Sequence, residues 1–201
     1  MKKLKIAVLG STRGTDLQAI IDAIKAKKLE AEIVLVASDN SKAFILERAK
    51  KHGIETLIVN YKEFSKREDA EKKIAAKLKE KKVDLILLIG FMKIITPYFV
   101  KEFKHRIWNM HPSLLPKYAG GMNLDVHSEV LKNKEKETGC TLHEVTEKVD
   151  AGKIIMQKKI SITKNETAES LKEKVQKLEQ ECFLEAIKMV TQGKIIIEGL
   201  K

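Results

Sequence analysis

The feature that most constrains this chain is its alternation of short, wholly apolar runs with amphipathic segments. LKIAVLG (Leu4–Gly10), EIVLVAS (Glu32–Ser38), TLIVN (Thr56–Asn60), VDLILLIGF (Val83–Phe91) and a run at Arg106–Met110 read as strands. Between them LQAIIDAIKAKK, Ala43–His52 closed by Gly53, the Lys- and Glu-rich stretch Glu68–Lys81 and a short segment near Pro97 read as helices. Proline is tolerated in a first helical turn. Apolar runs without polar alternation are buried on both faces, so the pattern predicts parallel strands with helices on both sides. From Gly139 the pattern changes. TLHEVT and KIIMQKKISI alternate with strand period, as in an antiparallel extension, followed by a long helix over Ala168–Gln192 and a terminal strand KIIIEG. No Ser-, Gly- or Pro-rich linker and no internal repeat interrupts the chain, which reads as a single α/β domain.

With 201 residues, 43% of them hydrophobic, the chain can bury a core without disulfides or metals. Cys140 and Cys182 form no framework and no CxxC pair. The basic start Met1–Lys5 precedes too short an apolar run for a signal peptide, and no run approaches the roughly 20 residues of a membrane span. A cytoplasmic protein that does not engage a membrane is expected, as monomer or homodimer. The net charge of +11 suggests polyanions, but arginine occurs only at Arg13, Arg48, Arg67 and Arg106. Lysines interleaved with glutamates make solvated helix faces, so small anionic ligands are expected and nucleic acid is not. No histidine pair has metal-ligand spacing, and no metal is expected.

Ligands of such sheets bind beyond the carboxyl ends of the strands. The loop Gly10-Ser11-Thr12-Arg13-Gly14-Thr15-Asp16 lacks both the dinucleotide and the P-loop spacing. It reads either as a small phosphate cradle, with Gly14 admitting close approach and Arg13 adding charge, or as a tight turn with Thr15 or Asp16 as N-cap. In Trp108-Asn109-Met110-His111-Pro112, Asn109 and His111 project to one side of an extended strand and can together donate to an oxyanion. Asp150, before Ala151-Gly152, reads as an Asx-turn or as a carboxylate that raises the pKa of His111 and relays a proton. His143 lines the same cleft or simply packs. His127 opens a helix as a surface residue, and His52 and His105 are helix-end residues.

These residues resemble the folate-dependent formyltransferase family, nearly end to end. The resemblance is carried in order by VLGSTRGTDLQAIIDAI, LERAKKHGI, FSKRED, LIGFMKIITP, NMHPSLLPKYAG, TGCTLHEVTEKVDAGKIIMQ and VQKLEQE. It implies a Rossmann-like, mostly parallel twisted sheet, with 1–105 as the nucleotide- and phosphate-binding half and 106–201 as the catalytic and folate-loop half. It implies formyl transfer from 10-formyltetrahydrofolate to the amine of glycinamide ribonucleotide in purine biosynthesis. Asn109, His111 and Asp150 match the family's catalytic trio. Arg67, Phe91, Met92, Lys93, Ile94 and Ile95 match positions lining the folate cleft, and Thr146 and Val149 lie on a folate-site loop. Gly14, Thr15 and Asp16 match the phosphate-binding turn, with Arg13 beside it, and Glu179 matches a residue holding the glycinamide end.

Two departures fall on the ribonucleotide side. The family's turn reads close to SGNGSNLQ, so Asp16 replaces an asparagine, and its negative charge should repel a phosphate that Arg13 could offset. The usual PGxHTH is AGGMNLDVH here, about two residues longer, with His127 matching. Another amine, such as an amino sugar nucleotide, is the alternative acceptor, and a non-catalytic folate- or polyanion-binding protein is the alternative of another class. The transferases of methionyl-tRNA and the formyltetrahydrofolate deformylases are expected to carry a further domain.

Overall fold

A computed structural model of the chain describes residues 3–121 and 124–199. Its seven strands form one sheet in the order β3-β2-β1-β4-β5-β6-β7. β1 (Leu4–Leu9), β2 (Ala31–Ser38), β3 (Thr56–Ile58), β4 (Leu85–Leu88) and β5 (Ile107–His111) pair in parallel. β6 (Glu137–Glu144) runs antiparallel to β5, and β7 (Ile154–Ser161) antiparallel to β6. The expected single-domain, mostly parallel sheet with an antiparallel extension is the observed architecture.

Alternation along the central strands sorts their side chains into two cores. Ile6 and Val8 of β1 and Leu85 and Leu87 of β4 face a cluster shared with α1 (Thr15–Lys25), α2 (Phe44–Lys51), α5 (Leu124–Lys132) and α6 (Ala168–Thr191). Ala7 and Leu9, with Ile86 and Leu88, face the opposite cluster under α3 (Arg67–Glu80) and α4 (Pro97–Glu102). Both faces are covered, and the strands therefore read as unbroken apolar runs. The chain order reverses at β1, whose neighbours are β2 and β4. That reversal opens a crevice between the loops leaving β1 and β4.

Two expectations fail locally. KIIIEG is not a strand: the chain reverses at Gly193 (φ 70°), and the N–H groups of Lys194 and Ile195 donate to the Met189 carbonyl at 2.8 and 3.2 Å. The segment's first two donors thus close the end of α6 instead of a ladder. Neither Thr15 nor Asp16 caps α1. Gly14 is the N-cap, in the left-handed region (φ 65°), with no side-chain cap bond. A Cβ at Gly14 would run into Ile45, so both the backbone angle and the packing of α2 select glycine.

Candidate active site

A cleft of about 800 Å³ lies over the carboxyl ends of β1, β4 and β5. It is lined by Thr12–Asp16 after β1, Leu88–Ile95 after β4, Asn109–Pro112 at the end of β5, Val145, Thr146, Val149 and Asp150 between β6 and β7, and Lys172, Gln176 and Glu179 of α6. Every residue that the sequence singled out for a site lies on this one surface, and both halves of the chain contribute to it.

At its neck the antiparallel register sets Asn109 opposite His143 and His111 opposite Thr141. Directly paired side chains share a face, and Asn109 Nδ2 lies 3.2 Å from His143 Nε2. Asp150 has φ 50°, a left-handed turn conformation, and its side chain is only 9% exposed. One carboxylate oxygen lies 3.3 Å from His111 Nδ1 and accepts from the Gly120 N–H at 2.8 Å; the other lies 3.4 Å from His143 Nε2. Two carbonyl groups fix the imidazole protons, because a carbonyl can only accept. Nε2–H of His111 donates to Tyr118 at 2.9 Å, and Nδ1–H of His143 donates to Glu144 at 2.9 Å. The remaining nitrogen of each ring faces one oxygen of Asp150, so a proton taken up here lands between imidazole and carboxylate.

Burial raises the Asp150 carboxyl, but His143, the Gly120 N–H and the charge of His111 outweigh it and hold the group below the usual carboxylate range. For His111 the balance runs the other way. Asp150 favours its imidazolium, as expected, yet burial dominates and the ring is held below the ordinary histidine value. The expectation of an imidazole raised by its carboxylate is therefore corrected: the low-dielectric surroundings outweigh the pair.

The open end of the cleft is apolar. Met92, Ile94 and Val149 are 38%, 63% and 46% exposed, beside half-buried Phe91 and buried Ile95. Its loop is held by backbone capture: the Arg67 guanidinium donates to the Ile94 carbonyl, and the Met92 N–H donates to Ser11 Oγ at 2.9 Å. Ser11 in turn donates to Asp39 at 2.5 Å, and Lys93 pairs with the same carboxylate at 3.5 Å. Thr146 Oγ1 donates to the Lys148 carbonyl at 2.9 Å, shaping the loop before Asp150.

The deep end is polar. Arg13, Thr15 and Asp16 face Lys172, Gln176 and Glu179 across it. Burial pushes the Asp16 carboxyl up to about 7, and burial with the charge of Asp16 pushes Glu179 well above its usual value. His127 is not a surface residue: it is 2% exposed within α5, lines this end, and burial and Lys172 bring its pKa down to about 4. Val126 and Val130 turn that face of α5 into the core, and His127 is carried inward with them. Met122 and Asn123 of the longer AGGMNLDVH segment lie outside the described residues. Sequence reading missed Lys172 and Gln176. Their spacing with Glu179, i, i+4 and i+7, marks one helix face and was the available signal. Among the described residues no group of histidine, cysteine or acidic side chains could hold a metal, and no helix is long and apolar enough to cross a membrane.

This geometry can be set against known proteins. The chain is 40% identical over 198 residues to the trifunctional purine biosynthetic protein adenosine-3 of Drosophila melanogaster, covering 98% of this chain but 14% of that one. It therefore spans about a seventh of the length of that relative. With the phosphoribosylglycinamide formyltransferase of Haemophilus influenzae it shares 39% identity over 191 residues, covering 95% of this chain and 89% of the other. The crystal structure of glycinamide ribonucleotide transformylase 1 from Symbiobacterium toebii superposes with a TM-score of 0.91 at 34% identity, covering 98% and 92% of the two chains. The formyl transferase family model matches residues 4–187, a span that runs from β1 into α6 and takes in every side chain lining the cleft; the chain belongs to the formyl transferase family.

Proposed function

We propose that this chain transfers the formyl group of 10-formyltetrahydrofolate to the amine of 5'-phosphoribosylglycinamide, in purine biosynthesis and in the cytoplasm. The observation that carries this reading is the neck of the cleft, where Asp150 meets both His111 and His143 beside Asn109. The apolar open end suits the folate rings, held by Arg67, Phe91–Ile95, Thr146 and Val149. The polar deep end suits the ribonucleotide, held by Arg13–Asp16 and Glu179. Relatives with the same printed activity at nearly full length support the assignment.

In this mechanism the amine nitrogen attacks the formyl carbon, and the carbonyl electron pair moves onto oxygen. Asn109 donates to that oxyanion. Its Nδ2 lies against His143 Nε2, which fixes the amide's orientation and leaves a second N–H for the substrate. The attacking nitrogen gives up a proton to the pair of His111 Nδ1 and Asp150, where a bare nitrogen faces a carboxylate oxygen. His111 becomes an imidazolium stabilised by Asp150, then passes the proton to N10 of the folate as the carbon–N10 bond breaks. A His111 ring held below the ordinary histidine value suits this order, since it gains its proton only as the tetrahedral intermediate forms, beside the Asp150 carboxylate that then stabilises it.

The test is folate release from 10-formyltetrahydrofolate with glycinamide ribonucleotide, without acceptor, and with Asp150→Asn. Acceptor-dependent release that falls at least a hundredfold in the variant is expected. Equal release without acceptor, or no release despite binding of a folate analogue, overturns the proposal.

A further inference from the structure

Four buried side-chain polar atoms among the described residues have no hydrogen-bond partner, and two of them, Asp16 Oδ1 and His127 Nδ1, line the deep end of the cleft. They come from α1 and α5 and point to a ligand that completes them, because buried polar atoms are ordinarily satisfied. Asp16 is 7% exposed, and across the cleft floor stands a second carboxyl group, Glu179 of α6, whose charge it feels directly. The other groups facing the pair are Gln180, Lys172 and Cys182 of α6, Cys140 of β6, and Arg13 on the turn before α1. Lys172 is the cation that acts on Glu179, and it does not outweigh burial. Asp16 is buried and Glu179 half-buried, and the charge of one acts directly on the other, so ionising both together is disfavoured.

We propose that Asp16 makes acceptor binding proton-linked: in the complex its carboxyl group is protonated and donates a hydrogen bond to the acceptor's phosphate. Above neutral pH each binding event draws one proton from solution. This rests on the reading above, in which the acceptor is a phosphorylated ribonucleotide. It turns the expected repulsion between Asp16 and phosphate into an attraction conditional on pH. The carboxyl groups are also conditioned for it before any ligand arrives, since burial holds Asp16 to about 7 and Glu179 well above its usual value. A carboxylic acid O–H aimed at a phosphate oxygen is a strong, charge-assisted donor, whereas the ionised form offers only acceptors.

Calorimetric titration with glycinamide ribonucleotide, and separately with ribose 5-phosphate, in two buffers of different ionisation enthalpy measures the proton directly. At pH 8 the wild-type protein is expected to take up close to one proton per ligand, and its apparent Kd to rise more than about tenfold between pH 6.5 and 8.5. Asp16→Asn should show neither uptake nor slope, while Glu179→Gln, which keeps the Asp16 carboxyl group, should retain the uptake. Absence of uptake in the wild type, or undiminished uptake in Asp16→Asn, overturns the inference. Ribose 5-phosphate binding with Asp16-dependent uptake while glycinamide ribonucleotide fails to bind or react would refute the acceptor assignment and support the proton linkage. Turnover of glycinamide ribonucleotide with a flat profile would do the reverse.

Discussion

At the open end of the cleft Met92, Ile94 and Val149 offer side chains that are 38%, 63% and 46% exposed, whereas at the deep end Asp16 and His127 are withdrawn to 7% and 2%. The open end can hold a ligand by removing apolar area from water, a contribution that is additive and tolerant of shape. The deep end holds buried polar atoms that lack partners, and a ligand that fails to supply them leaves a penalty in place. On the proposed reading, discrimination belongs to the deep end and general affinity to the open one. Between them the neck, with its carboxylate and two imidazoles, depends on neither for its own geometry: strand register and the Asp150 turn set it.

The sharpest way to break the comparison is at the neck, where both ends should lose function together. Asp150→Asn and His111→Ala are expected to lower kcat by roughly 10²–10⁴-fold with the fold retained, checked by single-turnover rates alongside circular dichroism. Asn109→Ala should lower kcat by roughly 10²–10³-fold, since the proposed oxyanion donor is lost. An Ile94→Asp variant separates the ends: the folate KM should rise by about tenfold, the worth of one apolar side chain's contact, while the acceptor KM stays put. Steady-state kinetics with each substrate varied in turn reads that split, and an equal rise in both would dissolve the distinction.

The deep end also leaves a signature in stability. Burial brings His127 down to about 4, so its contribution is present above the ordinary histidine value and lost as pH falls from about 6.5 toward 4. Asp16 is raised to about 7, so its contribution is full below the ordinary aspartate value and is lost as pH rises through 7. His127→Gln should flatten the acid side of a Tm-versus-pH curve, and Asp16→Asn should raise Tm at pH 8 by several degrees, a few kcal/mol at most. Variants that leave both limbs unchanged would show that neither group is held as described. The smallest effect is expected at Lys93→Ala, where a partly exposed pair with Asp39 should shift stability by no more than about 1 kcal/mol in urea unfolding.

Much of this was legible in the chain, and the parts that were not share a cause. Strands β1 and β4 announced themselves because both of their faces are buried, and Asn109 and His111 stood out as two polar side chains at the end of a further apolar run. His127 was misread because burial of α5 on one face depends on packing against α6, a long-range contact that local periodicity reports weakly. Lys172 and Gln176 escaped because surface lysines and glutamines are common on a helix as charged as α6, and only the cleft distinguishes these from their neighbours. The terminal KIIIEG carries a strand-like isoleucine run, yet its first two donors are taken by the end of α6.

The sequence by itself determined the layered α/β architecture, the strand ends over which the cleft opens, and the residue types gathered there, because burial periodicity and motif spacing are local properties. Only the tertiary structure decided which carboxyl groups meet which imidazoles and that burial outweighs Asp150 at His111. Asp150 lies 39 residues from His111 in the chain and 3.3 Å from it in space. Whether such a pair favours or disfavours a proton depends on how much water the fold leaves around it, and burial is a property of the folded whole.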